Sequence, residues 1–139
     1  LYNSNYFEVD PNQTYKFSIG MYLANNTRDA SQYFGFNAYD KNMKELPVYF
    51  VNPNGTNIDP TERTNPYFWS GNAASDSWRM MDGYVMSSQG QANDCPAGRN
   101  VNQNFKMHPA TKYLRMRFYS GYYPKVNNAA MEVLWHSPS

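Results

Sequence analysis

Gln13-Thr14-Tyr15-Lys16-Phe17-Ser18-Ile19-Gly20-Met21-Tyr22-Leu23 alternates without a break. Tyr15, Phe17, Ile19, Met21 and Leu23 fall in one phase, and Lys16, Ser18, Gly20 and Tyr22 in the other. A period of two sends successive side chains to opposite faces, so this stretch predicts a strand with one buried face. Asp10-Pro11-Asn12 ahead of it is a turn signal, and Asn5 to Val9 leads in as a short strand. Downstream, Gln32 to Asp40 repeats the pattern, with Phe34, Phe36 and Ala38 opposite Tyr33, Gly35, Asn37 and Tyr39. Asp40-Lys41-Asn42 turns the chain, and Leu46 to Val51 continues as a strand.

The second half reads alike. Asp76 to Met86 sets Trp78, Met80, Asp82 and Tyr84 against Arg79, Met81, Gly83 and Val85; each face carries charge, so the inward one is open. A short strand at Phe105 to Met107, a strong one at Tyr113 to Tyr119 and a last one at Ala130 to Trp135 follow. In the strong one Leu114, Met116 and Phe118 alternate with Arg115, Arg117 and Tyr119. Asn52 to Asn65 and Ser87 to Asn104 are turn-rich and read as long loops. No segment holds a 3.6-residue apolar period, and Pro109 to Lys112 makes at most one helical turn. About eight or nine strands without crossover helices predict an all-β fold: one antiparallel two-sheet β-sandwich of the jelly-roll kind over residues 1–139, with almost no helix. Phe17, Ile19, Phe34, Phe36, Met116 and Phe118 share the apolar phase and are expected inside.

Composition bounds the function. The 139 residues suit one domain. A net charge of +1 gives no electrostatic case for a nucleic-acid partner. No run approaches the ~18 apolar residues of a membrane span, and the first residues do not read as a signal peptide. The start at Leu1 and the polar end suggest a domain excised from a longer chain, whose adjacent domains would be partners. Aromatic residues outnumber Leu, Ile and Val together, so the core is expected to form from Tyr, Phe and Met. That composition, rich in Asn, fits an all-β extracellular domain. The single cysteine, Cys95, excludes an internal disulfide. Asn12-Gln13-Thr14, Asn25-Asn26-Thr27 and Asn54-Gly55-Thr56 match the glycosylation sequon, a pattern that chance supplies in an Asn-rich chain.

Tyr6-Phe7-Glu8-Val9-Asp10-Pro11 running into Thr14-Tyr15-Lys16-Phe17-Ser18-Ile19 resembles the start of a carbohydrate-binding-module-like jelly roll, similar to modules in phage tail fibres and in secreted multidomain proteins of microbes. Tyr33-Phe34-Gly35, Trp78 with Gly83-Tyr84-Val85, Phe105-Lys106-Met107 and Tyr113 to Tyr119 continue the likeness over nearly the whole chain. The resemblance implies lectin-like glycan binding on a sheet face or at loop tips, and often a structural calcium.

Sugar recognition needs flat aromatic faces for the C–H side of a pyranose and planar polar groups for its hydroxyls. The polar phases offer Tyr22, Tyr33, Asn37, Tyr39, Trp78, Asp82, Tyr84, Arg115, Arg117 and Tyr119 as ligand-binding candidates, although aromatic residues also simply favour strands. Arg115 and Arg117 point the same way and either clamp a carboxylate or pair with Asp82 across a sheet. Tyr67-Phe68-Trp69 reads as a core plug under a long loop in preference to a stacking platform. Asp10 and Glu132, with Glu8 nearby, are the candidates for calcium, while Asp10 before Pro11 is also an ordinary turn former. Chemistry is poorly supported: Cys95 with His108 is a weak dyad, zinc lacks ligands at useful spacing, and no Gly-rich phosphate loop occurs. The expectation is a non-catalytic glycan-binding module whose partner is an oligo- or polysaccharide. A structural spacer or oligomerisation sandwich and a small polysaccharide-active enzyme are the alternatives.

Overall fold

A computed structural model describes residues 2–26, 31–52, 57–71, 75–122 and 131–136, apart from the side chains of 2–4, 23–26, 75–77, 120–122 and 131–136. Eleven strands are present among them: β1 (Tyr2–Glu8), β2 (Tyr15–Asn26), β3 (Ser31–Tyr39), β4 (Glu45–Leu46), β5 (Val48–Val51), β6 (Ile58–Arg63), β7 (Tyr67–Gly71), β8 (Ser75–Met86), β9 (Asn104–Lys106), β10 (Tyr113–Tyr122) and β11 (Met131–His136). The one helical element among the described residues is a 3-10 turn at Ala92–Asp94. Pro109 to Lys112 is not helical; His108 closes a turn there, its carbonyl accepting from the Thr111 N–H at 3.0 Å.

The strands form two sheets. One runs β1-β10-β3, and β4 and β7 share the far edge of β3 at its two ends. The other runs β11-β2-β8-β9-β5-β6. Every pairing is antiparallel except β8 with β9. The stretch 46–51 is not one strand. Pro47 lacks an N–H for a ladder, and the chain leaves the first sheet after Leu46 and enters the second at Val48. Nor is 52–65 a loop throughout, because β6 lies within it. As an edge strand paired only with β5, β6 carries no alternating apolar phase and tolerates Pro60.

The core lies between the sheets, and Phe68 is its centre. Its ring stands 5.1 Å from Phe34 and 5.2 Å from Phe36 in its own sheet, and 6.1 Å from Phe17 and 5.8 Å from Phe105 in the other. A register shift in β7 between the partners of Phe34 and Gly35 lets Phe68 turn inward. Opposite it stands Gly83, where a Cβ would lie 2.3 Å from the Phe68 ring. Tyr67-Phe68-Trp69 is therefore a plug: Phe68 and Trp69 are buried. Phe17, Ile19, Phe34, Phe36 and Met116 are buried as expected, and Phe118 is half-buried, stacked on Phe34 at 5.7 Å. In β8 the inward phase is Met81, Gly83 and Val85. Arg79 shares that phase, with its guanidinium 5.4 Å from the Trp69 ring.

The segment 99–104 ties the sheets together along one side. Asp82 and Arg99 exchange backbone hydrogen bonds, Asn102 and Gln103 N–H groups donate to the Phe68 carbonyl, and the Asn102 side chain accepts from the Ser70 N–H at 2.8 Å. Asn104 is fully buried, and its side-chain oxygen accepts from the Tyr84 N–H at 2.9 Å.

Candidate functional site

The polar phases of the strands do not form one face. Tyr33, Asn37, Tyr39, Arg115, Arg117 and Tyr119 lie on the outer face of the β1-β10-β3 sheet. Trp78, Asp82 and Tyr84 lie on the outer face of the β2-β8 sheet. The expected pairing of Arg117 with Asp82 is excluded, because their strands belong to different sheets and both side chains point away from the core between them.

On the first face, register sets Tyr6, Arg115 and Asn37 in one row and Arg117 beside Gly35 in the next. The segment 64–67 crosses this face. Only a glycine allows the crossing, since a Cβ on residue 35 would stand 2.2 Å from the Pro66 carbonyl oxygen. Arg117 lies beneath the segment at 5% exposure. Its Nη1 donates to Asn65 Oδ1 at 2.9 Å, and its Nη2 to the carbonyls of Asn65 and Pro66 at 2.9 and 3.1 Å. Asn37, equally buried, donates to Glu45 Oε1 at 2.6 Å. Neither is available to a ligand, so the expected Arg115/Arg117 clamp does not exist. The aromatic groups that remain pack on one another. Arg115 sits 5.0 Å from the Tyr6 ring, Tyr6 meets Tyr39 edge-on at 5.3 Å, and Tyr33 meets Tyr67 and Tyr119 at 5.4 and 6.5 Å.

The second face is more open. Trp78, on β8, is 50% exposed and stands 5.7 Å from Tyr22, its cross-strand neighbour on β2. Met80, next in phase, is also exposed. Farther along β8 the surface becomes polar. Ser18 donates to Asp82 Oδ1 at 2.6 Å, Arg99 Nε donates to Asp82 Oδ2 at 2.8 Å, and Lys16 Nζ stands 3.9 Å from the same oxygen. Asn100 fixes the approach of the 99–104 segment by donating to the Met80 carbonyl at 2.8 Å. Beyond Asp82 the loop 87–104 folds back over the sheet. Cys95 packs there with Val51 and Met86, against Tyr84 and Ile58.

Sequence reading missed Lys16, Ser18, Arg99 and Asn100 at this end. The first two share the phase of Tyr22, but their meeting with Asp82 requires the β2-β8 register. Arg99 and Asn100 arrive from a loop without any periodic signal.

Asp10 is a turn residue: its side chain accepts from the Asn12 N–H at 2.9 Å and its own N–H donates to the Tyr15 hydroxyl at 2.8 Å. Glu8, beside it, pairs with Lys112. The Glu132 side chain lies outside the described residues; its backbone pairs opposite Asn25, ten residues along β2 from Tyr15, or about 33 Å at the rise of a strand. The register thus sets Asp10 and Glu132 at opposite ends of β2. Among the described residues no three His, Cys, Asp or Glu side chains gather. Cys95 is buried, and desolvation pushes its thiol up to about 11, which disfavours the thiolate a nucleophile needs. His108 Nδ1 accepts from the Ala110 N–H within its own turn.

Among the described residues, clefts open at the sandwich rim, two of which stand out. One, of about 190 Å³, lies between Arg63, Pro66, Gln103 and Phe105, and its Gln103 amide is engaged with the Tyr67 carbonyl at 2.7 Å. The other, of about 240 Å³, is an apolar gap between β1 and β2 lined by Phe7, Val9, Tyr15, Phe17 and Met116, with Glu8 and Lys16 at its edge. Among the described residues no helix is long and apolar enough to cross a membrane. Comparison of the chain with protein-family models, curated proteins and solved structures finds no match.

Proposed function

We propose that this domain is a non-catalytic glycan-binding module of an extracellular or virion protein, and that it binds on the outer face of the β2-β8 sheet. The observation that carries the reading is the half-exposed Trp78 beside Tyr22 on a sheet face. A half-exposed indole on regular structure supplies flat apolar surface of the kind that the C–H side of a pyranose stacks upon. Lys16 and Ser18 on β2, and Arg99 from the 99–104 segment, gather around Asp82 on β8 and place polar groups at one end of that platform. Rigid strands hold both, which limits the ordering cost of binding. The same reading takes the sandwich as a jelly roll; the pairing of the first strands with the last, β1 with β10 and β2 with β11, supports that winding.

The exposed pair Trp78 and Met80 favours one competing reading, a self-association face of a structural sandwich. Affinity electrophoresis of the domain through a panel of polysaccharides, beside sedimentation velocity, separates the two. Glycan binding expects retardation by at least one polysaccharide, a loss of about tenfold or more in affinity for Trp78→Ala, and an unchanged melting curve. A domain that no glycan retards, and whose dimer dissociates on Trp78→Ala, refutes it.

A further inference from the structure

We infer that the polar end of this face selects a carboxylated, anionic glycan and that Arg99 is the residue that meets its carboxylate. The inference rests on the reading of Trp78 as the stacking platform. Asp82 is nearly buried, and both its oxygens are engaged, Oδ1 by Ser18 and Oδ2 by Arg99 with Lys16 nearby. It is therefore poorly placed to accept from sugar hydroxyls. What it does is hold two cations on the surface. The Arg99 and Lys16 side chains are 56% and 51% exposed, so the cluster presents two half-exposed positive groups beside one nearly buried carboxylate.

Arg99 is also held in place before any ligand arrives. Its backbone N–H and carbonyl both bond to Asp82, at 3.0 and 2.9 Å, and Nε donates to the Asp82 carboxylate. That contact uses the Nε edge of the guanidinium. The two Nη groups form the opposite edge, a planar fork that matches the two oxygens of a carboxylate. From Trp78 to Asp82 is four residues of strand, or about 13 Å, so one short oligosaccharide can stack at one end and place an acidic group at the other.

The test uses matched pairs: polygalacturonate, alginate, hyaluronan and glucuronoxylan, each with its carboxyl-reduced form, with sulfated dextran as a polyanion control. At least one carboxylated polymer should bind about tenfold or more tightly than its reduced partner, the loss expected for one charge-assisted contact. Arg99→Gln should bring the carboxylated form to the level of the reduced one and leave the reduced form unaffected. Trp78→Ala should weaken both. Equal binding of reduced and carboxylated forms, an Arg99→Gln variant that keeps the preference, or equal retention of sulfated dextran overturns the inference and leaves the stacking reading standing. If no member of any pair is bound, the reading of Trp78 fails and the inference fails with it.

Discussion

Replacing Arg117 by Met should unfold the domain more easily by about 2–3 kcal/mol, although Arg117 lies in the polar phase of its strand. Met keeps most of the aliphatic stem, so the change isolates the guanidinium. Three short bonds to a charged donor, at 2.9, 2.9 and 3.1 Å, are lost. Each contributes about 1.5–3 kcal/mol, and release of the guanidinium from its buried site offsets several kcal/mol of the sum. Two of the acceptors keep a partner: the Pro66 carbonyl still accepts from Phe36 N–H at 3.1 Å and Asn65 Oδ1 from Asn37 Nδ2 at 3.3 Å. Asn65 sits at φ 52°, a left-handed conformation that asparagine tolerates, and its contacts to Arg117 help hold it there. Urea unfolding followed by tryptophan fluorescence measures the loss. A double-mutant cycle locates it: Arg117→Met should couple to Asn65→Gly by about 0.5 kcal/mol or more and should add to Asp82→Asn within roughly that error. A loss under about 0.5 kcal/mol, the usual range of a surface change, refutes the reasoning, as does coupling to Asp82 in place of Asn65.

Gly83→Ala should lower stability by about 1–3 kcal/mol through overpacking, because the new methyl would meet the buried Phe68 ring at 2.3 Å; Phe68→Leu in the same chain should recover part of the loss in urea unfolding. Cys95 should react with a thiol reagent only as fast as the domain opens, with complete labelling in urea. The Cys95 thiol is raised from 9.0 to about 11 in the folded state, so its contribution is fully present below pH 9; the unfolded chain releases the proton first, and stability should fall as pH rises from 9 to about 11. Cys95→Ala should remove that part of the alkaline slope in a pH series of melting temperatures.

Strict alternation in 13–23 and 113–119 made the strands, the two-layer class and most of the core legible, because a buried face writes its period into the chain. The site was less so. Phase states that Arg117 points away from the core, yet it cannot state that residues 64–67 cross above it. The one local sign was Gly35, a residue without a side chain on a face otherwise occupied by Tyr and Asn. Likewise β6 escaped notice because an edge strand with polar neighbours has no apolar phase to show, and Pro47 hid a change of sheet inside what reads as a continuous strand.

Which strand face can bind a ligand is thus decided by where the chain's own loops lie. The first sheet's outer face is crossed by 64–67, which buries Arg117 and Asn37. The second is covered at its Tyr84 end by the loop that carries Cys95. Between that cover and the far end of β8 remain Trp78 and Met80, both exposed, and the half-exposed cations around Asp82. An exposed indole gives up apolar burial that a protein would otherwise gain, about 1.5–3 kcal/mol for a large side chain. The half-exposed Trp78 beside two half-exposed cations paired to a nearly buried carboxylate is the combination on which the proposed glycan site rests. For that reason the proposed glycan is assigned to the β2-β8 sheet, not to the aromatic-rich but self-packed β1-β10-β3 sheet.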